Sequence, residues 1–177
     1  MSDPDAPELF YLEYYEDFLA KAQLLSRQII ESDWQPDFII GVGRGGLVPA
    51  VYISHQLDVP MLSIDHSARV AGFADELLAK IAKMSAAGSR LLIVDDINDS
   101  GSTIHYIRDV LVKTGCAPDN LRFAVLITNT RSCAKVDYWA DQIDRTEDKR
   151  WFVFPWEAVG TKAAIEAEAL SVPERLN

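Results

Sequence analysis

The segment DDINDSGST, residues 95–103, combines three carboxylates with small hydroxyl residues directly after the apolar run LLIV. Asp95 and Asp96 form an adjacent acidic pair, which can accept hydrogen bonds from the two cis hydroxyls of a ribose, directly or through a bound cation. Asp99 follows, and the next four residues are Ser100, Gly101, Ser102 and Thr103. These four begin a helical pattern, where backbone amides and hydroxyls suit a phosphate monoester. The segment therefore predicts a site for a ribose 5-phosphate, in which the acidic pair binds the sugar hydroxyls and residues 100–103 bind the phosphate. The alternative is that the segment is an ordinary acidic N-terminus of a helix.

A second glycine-bearing loop, GVGRGG at residues 41–46, follows one apolar run and begins a helical pattern. It fits the dinucleotide-binding pattern G-x-G-x-x-G, and Asp65 lies roughly where that fold has its ribose-binding acid. Against a dinucleotide, Pro49 falls early in the helix and Arg44 would crowd a pyrophosphate lying on the glycines. Backbone amides and the Arg44 guanidinium favour a separate pyrophosphate instead. A tight turn with a surface arginine is the alternative interpretation.

Alternating strand and helix patterns must position these loops. Strands are predicted at residues 37–43, 60–65, 90–96 and 120–128, with a fifth at 150–156. Helices are predicted at 8–32, 46–57, about 74–84, 104–115 and 161–170. The alternation predicts an α/β fold with a mostly parallel central sheet flanked by helices, in which ligands bind at the carboxyl ends of the strands. We expect the loops at Gly43, Asp65, Asp95, Thr128 and Glu157 to converge there.

Composition narrows the class of protein. The 177 residues are 49% hydrophobic and 25% charged, as expected for one globular domain. The formal net charge of -10 argues against nucleic acid or an anionic membrane as a partner. Cys116 and Cys133 have neither metal-type spacing nor the pattern of a disulfide framework. Without an apolar membrane span or a signal-peptide pattern, a cytoplasmic location is expected.

Three motifs carry a family resemblance. IVDDINDSGST, residues 93–103, resembles the ribose-phosphate-binding motif of type I phosphoribosyltransferases, and GRGGLVPA, residues 43–50, resembles their pyrophosphate loop. WFVFPWE, residues 151–157, is similar to the C-terminal segment of the xanthine-guanine and hypoxanthine branch. The resemblance implies the type I phosphoribosyltransferase fold with a small hood region. It further implies a single domain over 1–177, with a core at about 36–135, a hood from 1–35 and 136–177, and a mobile loop at 66–90.

The resemblance also implies an activity, namely transfer of phosphoribosyl from phosphoribosyl pyrophosphate to N9 of a 6-oxopurine, with magnesium, in purine salvage. Asp95 and Asp96 would hold the ribose hydroxyls and the metal, and Glu157 would reach the metal through water. Asp99 would lie near N7 or N9 of the base as a general base or proton acceptor. A homodimer or homotetramer is expected. The remaining implied ligand contacts are Ser100, Gly101, Ser102 and Thr103 for the 5-phosphate, Arg44 and Gly45 for pyrophosphate in a loop of unusual peptide geometry, Trp151 stacked on the purine, and the backbone of Phe152 at its exocyclic group.

Three departures from the pattern of the xanthine-guanine and hypoxanthine branch affect the prediction of which base is used. A lysine usually follows the fourth strand and pairs with O6, whereas here the loop LITNTRS has Asn129 at that position and Arg131 nearby. The hood loop offers Ser63 and His66 without the usual tyrosine, and segment 137–150 is unusually charged. These departures favour, as the alternative, a catalytically weak or regulatory relative that binds phosphoribosyl pyrophosphate or nucleotides. A fragment of a dinucleotide-dependent oxidoreductase would leave DDINDSGST unexplained.

Overall fold

The structure is a computed structural model that describes residues 9–65 and 73–171. Along the chain the strands are β1 (Phe10–Leu12), β2 (Phe38–Val42), β3 (Met61–Ile64), β4 (Leu91–Asn98), β5 (Leu121–Asn129), β6 (Tyr138–Ile143) and β7 (Trp151–Val153). The helices are α1 (Tyr15–Ile30), α2 (Gly43–Leu57), α3 (Phe73–Ala86), α4 (Ser102–Lys113) and α5 (Lys162–Leu170).

Five strands form one parallel sheet in the order β3-β2-β4-β5-β6. Helices cover both of its faces, which confirms the predicted α/β class. Strands that are covered on both faces have continuous apolar runs in their sequences, and the first half of β4 is such a run. Its Leu91 and Ile93 join the core beneath α3 and α4, whereas Leu92 and Val94 join the core beneath α1 and α2. Each such buried aliphatic side chain contributes about 1.5–3 kcal/mol, so β4 holds Asp95 and Asp96 on a rigid base.

The fifth strand of this sheet differs from the sequence prediction. It is β6, which lies in the charged segment and pairs with β5, whereas the predicted fifth strand ends up elsewhere. The side chains of β6 alternate between half-buried and exposed along most of its length, as in a strand at the edge of a sheet. An edge strand needs no continuous apolar run, and for that reason the apolar pattern of the sequence missed it.

The apolar run WFV forms β7, which pairs in parallel with β1 in a separate two-stranded sheet. The amide of Glu13 donates to the carbonyl of Val153 at 3.0 Å, and the amide of Trp151 donates to that of Leu9 at 2.9 Å. The first helix accordingly begins at Tyr15 rather than at residue 8. This small sheet joins the beginning of the described chain to the segment that carries Trp151 and Phe152.

The described part of the predicted mobile loop consists largely of α3. Leu78, Ile81 and Ala82 are buried on this helix, which confirms the helix predicted at about 74–84. His66 and the rest of residues 66–72 lie outside the described residues. In the described ranges, no helix is both long enough and apolar enough to cross a membrane.

Candidate active site

Two adjoining cavities lie at the carboxyl ends of β2, β4 and β5. The first has a volume of about 550 Å³ and is lined by residues 95–104 together with Asn129, Arg145, Trp151, Phe152 and Ser171. The second, of about 500 Å³, contains Arg44 and Gly45 on one side and residues of α5 on the other. Asp95, Asp96, Thr103, Trp151 and Ser171 line both cavities. The predicted site residues are therefore brought together, with Asp95 and Asp96 on the wall that the two cavities share.

Asp95 and Asp96 are half-buried at the end of β4. The amide of Asp96 donates to Asp95 Oδ1 at 3.1 Å, and the amide of Ile97 donates to Asp96 Oδ1 at 2.7 Å. Burial, and then the charge of Asp96, raises the pKa of Asp95 well above its ordinary value. Burial, and then the charge of Glu157, raises the pKa of Asp96 to about 7. A pair of carboxylates with raised pKa values is stabilised by a cation or by hydroxyl donors, and a ribose ligand with its metal supplies both.

The residues present fit a magnesium ion that shares its ligands with a substrate. No group of three or more His, Cys, Asp or Glu side chains in the described ranges is arranged to hold a metal alone. Magnesium in nucleotide sites commonly takes one or two carboxylates, with phosphate oxygens and waters completing its shell. Asp95 and Asp96 provide such a pair. Glu157 lies in the second cavity, where its Oε2 accepts a hydrogen bond from the Phe154 amide at 3.0 Å, and burial raises its pKa.

The phosphate loop, residues 100–103, is shaped by Gly101. Its φ of +88° is left-handed, and a Cβ there would lie 2.6 Å from both Ala134 N and Ser132 Oγ, so a larger residue does not fit. The amide of Ser102 lies 3.3 Å from Ser100 Oγ, and Gly101 provides no side-chain cap for α4. The first turn of a helix has amides without intrahelical partners. Together with the hydroxyls of Ser102 and Thr103, these amides make a site suited to an anion.

Arg44 and Gly45 lie on the other side of the acidic pair. A Cβ on Gly45 would overlap the carboxylate of Asp96, so a larger residue at this position would displace that carboxylate. The peptide bonds of the described residues include no cis bond, and the unusual geometry of this loop is instead the φ of +52° at Gly43. The Arg44 side chain is 85% exposed and its Nη2 lies 3.7 Å from Glu168 Oε1 on α5. A guanidinium in this position can reach an anion in the second cavity without losing a buried contact.

Arg145 is the functional candidate that the sequence analysis missed. Its Nε donates to Asp99 Oδ1 at 2.8 Å and its Nη2 donates to Asp99 Oδ2 at 2.6 Å. Its Nη1 donates to the carbonyl oxygens of Asp148 and Arg150 at 3.2 and 2.7 Å. The guanidinium also lies over the ring of Phe152, 5.3 Å from its centroid. Asp99, the predicted proton acceptor, is therefore held by a bidentate ion pair.

The sequence feature that could have indicated Arg145 is the tight turn in the charged segment 137–150. Asp144 Oδ1 accepts hydrogen bonds from the amide and the hydroxyl of Thr146, at 2.8 and 2.6 Å. Asp148 Oδ1 accepts from the Arg150 amide at 3.0 Å. Aspartates that bond to the backbone two residues ahead form tight turns. The pattern D-x-T-x-D-x-R thus indicates a fixed turn, although the sequence does not indicate which cavity that turn reaches.

Asn129, at the end of β5, lines the first cavity and is 8% exposed. Its Nδ2 donates to the carbonyl of Asp99 at 3.1 Å. Its Oδ1 accepts from the amides of Arg131 and Arg145, at 3.1 and 3.4 Å. The amide side chain of Asn129 therefore joins three segments of the cavity wall. Its predicted hydrogen bond to O6 stays a prediction.

The aromatic residues of β7 complete the site. Trp151 lines both cavities, and Phe152, which is 7% exposed, lines the first one. Tyr11 of β1 contacts the Phe152 ring at a centroid distance of 4.9 Å. Asp65, after the edge strand β3, lines neither cavity. The arrangement thus places an aromatic surface, an acidic pair and an anion site around one space, without the acid of a dinucleotide fold.

Comparison with known proteins agrees with this geometry. Residues 11–159 match the family model described as a phosphoribosyl transferase domain. A xanthine-guanine phosphoribosyltransferase from Idiomarina loihiensis is 28% identical over 155 residues, which cover 84% of this chain and 86% of that protein. The solved purine phosphoribosyltransferase from Pyrococcus horikoshii is 26% identical with a TM-score of 0.63, covering 83% of this chain and 93% of that one.

The solved xanthine-guanine-hypoxanthine phosphoribosyltransferase from Helicobacter pylori is 25% identical with a TM-score of 0.62. That alignment covers 85% of this chain and 95% of the other. Because the family model spans most of the sequence and the sheet, the acidic pair and the phosphate loop agree with it, the chain belongs to the phosphoribosyl transferase domain family, a family of pentosyltransferase enzymes.

Proposed function

We propose that this protein transfers the phosphoribosyl group of phosphoribosyl pyrophosphate to N9 of a 6-oxopurine, guanine, xanthine or hypoxanthine, in purine salvage. The products are a nucleoside monophosphate and pyrophosphate. The observation that carries the proposal is the shared cavity wall, where Asp95 and Asp96 line one space together with the phosphate loop and Trp151. A ribose phosphate and a planar base fit those three chemical surfaces. The cytoplasmic location and assembly as a homodimer or homotetramer stay predictions.

In the proposed reaction, the bond from the anomeric carbon to N9 forms while its bond to the pyrophosphate oxygen breaks. The transition state has oxocarbenium character, so catalysis consists mainly of positioning and of stabilising charge. Asp95 and Asp96 accept hydrogen bonds from the ribose hydroxyls, and residues 100–103 bind the 5-phosphate. Asp95 and Asp96 would hold a magnesium ion, which would compensate the charge of the pyrophosphate.

The other roles follow from position in the cavities. Arg44 stabilises the leaving pyrophosphate through its guanidinium, and Gly45 offers it a backbone amide. Asp99 accepts the N–H of the incoming base, and Trp151 stacks on the purine ring. The backbone of Phe152 hydrogen-bonds to the exocyclic group, and Glu157 would help to hold a bound magnesium ion through water.

Turnover with a panel of bases tests the proposal. The protein is incubated with phosphoribosyl pyrophosphate, Mg²⁺ and guanine, xanthine, hypoxanthine or adenine, and pyrophosphate release is measured. We expect release with a 6-oxopurine and its loss in the double variant D95N/D96N. The matched control R90Q alters an exposed arginine that pairs with Asp37 at the amino end of β4, and it should keep wild-type turnover. Absence of turnover with every base would refute the enzyme proposal.

The second candidate is a catalytically weak or regulatory protein that binds phosphoribosyl pyrophosphate or nucleotides. One observation favours it, namely that both carboxylate oxygens of Asp99 already accept hydrogen bonds from Arg145. These two oxygens are the acceptor atoms that the N–H of a base would have to use. Calorimetric binding of phosphoribosyl pyrophosphate by a protein that turns over no base would support this candidate, and turnover would rule it out.

A further inference from the structure

The pair formed by Arg145 and Asp99 lies inside the first cavity. The side chain of Arg145 is 10% exposed and that of Asp99 is 30% exposed. Arg145 is the one basic side chain among the described residues that line this cavity. A positive charge removed from water in this way is retained only where its hydrogen bonds are satisfied.

Four of the five N–H bonds of the Arg145 guanidinium have acceptors in the described part of the chain. Two go to the Asp99 carboxylate and two to the carbonyl oxygens of Asp148 and Arg150. The fifth, on Nη2, has no acceptor among residues 9–65 and 73–171, and a ligand can accept it. Because Nη2 also donates to Asp99 Oδ2, this N–H lies beside a carboxylate oxygen.

The pair therefore presents a donor next to an acceptor. A 6-oxopurine carries a carbonyl acceptor at position 6, whereas a 6-aminopurine carries an amino donor there. A free 6-oxopurine protonated at N7 has its own donor beside that carbonyl, in the complementary order. With a 6-aminopurine, the amino group would face the N–H of an arginine side chain that is 10% exposed, and two donors would meet there.

We propose that Arg145 is a positioning and specificity-determining residue of the base site. It holds Asp99 toward the N–H of the base and donates its remaining N–H to the 6-oxo group, so that the ion pair selects 6-oxopurines over 6-aminopurines. This inference rests on the proposed function for its substrate class. It assigns the choice of base to the turn after β6, in addition to the predicted contact of Asn129.

The experiment compares kcat/KM for hypoxanthine with kcat/KM for adenine in the wild type, R145M, R145K and R90Q. R145M removes every donor at similar length, whereas R145K keeps a cation without the bidentate geometry. We expect R145M to lower the hypoxanthine-to-adenine ratio by about 10-fold to 100-fold, which is the size of one bidentate discrimination. R145K should retain part of the wild-type hypoxanthine-to-adenine ratio, and the control R90Q should retain all of it. Binding of phosphoribosyl pyrophosphate, measured by calorimetry, should stay largely unchanged in R145M, because the contacts proposed for that ligand do not include Arg145.

A wild-type hypoxanthine-to-adenine ratio in R145M, with phosphoribosyl pyrophosphate still bound, would overturn the proposal. If R145M fails to fold, R145K alone must lower the ratio, and an unchanged ratio in R145K would overturn it equally. If the wild type turns over no base, the proposed function fails, and nucleotide binding then tests Arg145 separately. Tighter binding of inosine monophosphate than of adenosine monophosphate, lost in R145K, would support the specificity role, and equal binding in the wild type would refute it.

Discussion

Two arginine–aspartate pairs in neighbouring parts of the structure have similar contact distances, but their arginines differ in exposure and in the number of nitrogens that donate. Arg131 Nε lies 2.9 and 3.2 Å from the two carboxylate oxygens of Asp144, and the arginine side chain is 62% exposed. Arg145 binds Asp99 at 2.8 and 2.6 Å, and its side chain is 10% exposed. Asp144 and Arg145 are neighbours in sequence, so one turn directs a carboxylate to the exposed Arg131 and a guanidinium to the cavity.

The comparison indicates that burial, more than distance, determines how much an ion pair contributes to the stability of the fold. An exposed pair gains little because water and salt screen both charges. Removing one member of a buried pair leaves the other charge without compensation, which destabilises the fold strongly. Arg131 and Asp144 are therefore expected to shape the turn, whereas Arg145 and Asp99 are expected to affect stability and chemistry.

The largest expected effect is on stability. R145M should lower the free energy of unfolding by about 3 kcal/mol, because Asp99 then loses its buried partner. R131M should change it much less, since the Arg131 side chain is 62% exposed and Asp144 keeps its hydrogen bonds from Thr146. Urea denaturation of both variants, with the midpoint and slope compared with the wild type, measures the difference. Equal losses in the two variants would show that burial does not separate the pairs.

The next effect is on the rate of turnover. D99N should lower kcat by about 100-fold, the low end of the range for a positioned proton acceptor, while binding of phosphoribosyl pyrophosphate is largely spared. D144N alters the aspartate of the other pair, which does not line the first cavity, and should keep kcat near the wild-type value. Steady-state kinetics with saturating phosphoribosyl pyrophosphate give both numbers. An unchanged kcat in D99N would remove Asp99 from the mechanism.

The smallest expected effect is the loss of stability at acid pH that comes from Asp144, the partner of Arg131. Hydrogen bonds from the hydroxyl and then the amide of Thr146, followed by that from Arg131, lower the pKa of Asp144 from 3.8 to about 2. A folded-state pKa below the unfolded value means that this carboxylate stabilises the fold above pH 3.8, and that the contribution is lost as the pH falls toward 2. The midpoint temperature of thermal unfolding is measured between pH 5 and pH 2, in steps of about one unit. As the pH is lowered, it should fall more steeply in the wild type than in D144N. Parallel curves would contradict this assignment.

The same contrast explains how much could be predicted from sequence. Asp95, Asp96 and residues 100–103 are contiguous, so one strand end and one helix start define their geometry locally. The apolar runs that form β2 and β4 predicted the rigid frame because both strands are covered on both faces. Local pattern was therefore sufficient for the part of the site that binds ribose and phosphate.

Local pattern was insufficient for the part of the site that faces the base. Arg145 reaches Asp99 only because the edge strand β6 pairs beside β5, and the half-exposed residues of β6 give no apolar signal. The run WFV was predicted as a strand of the main sheet, yet β7 pairs with β1 instead. Pairing partners depend on tertiary contacts, which a single sequence pattern does not specify.

The central claim is transfer of phosphoribosyl to a 6-oxopurine, and the most direct measurement is pyrophosphate release by the wild-type protein with phosphoribosyl pyrophosphate, Mg²⁺ and one base at a time. We predict release with guanine, xanthine or hypoxanthine, little release with adenine, and none with any base in D95N/D96N. Release with adenine alone, or release by the wild type with no base at all, would contradict the account.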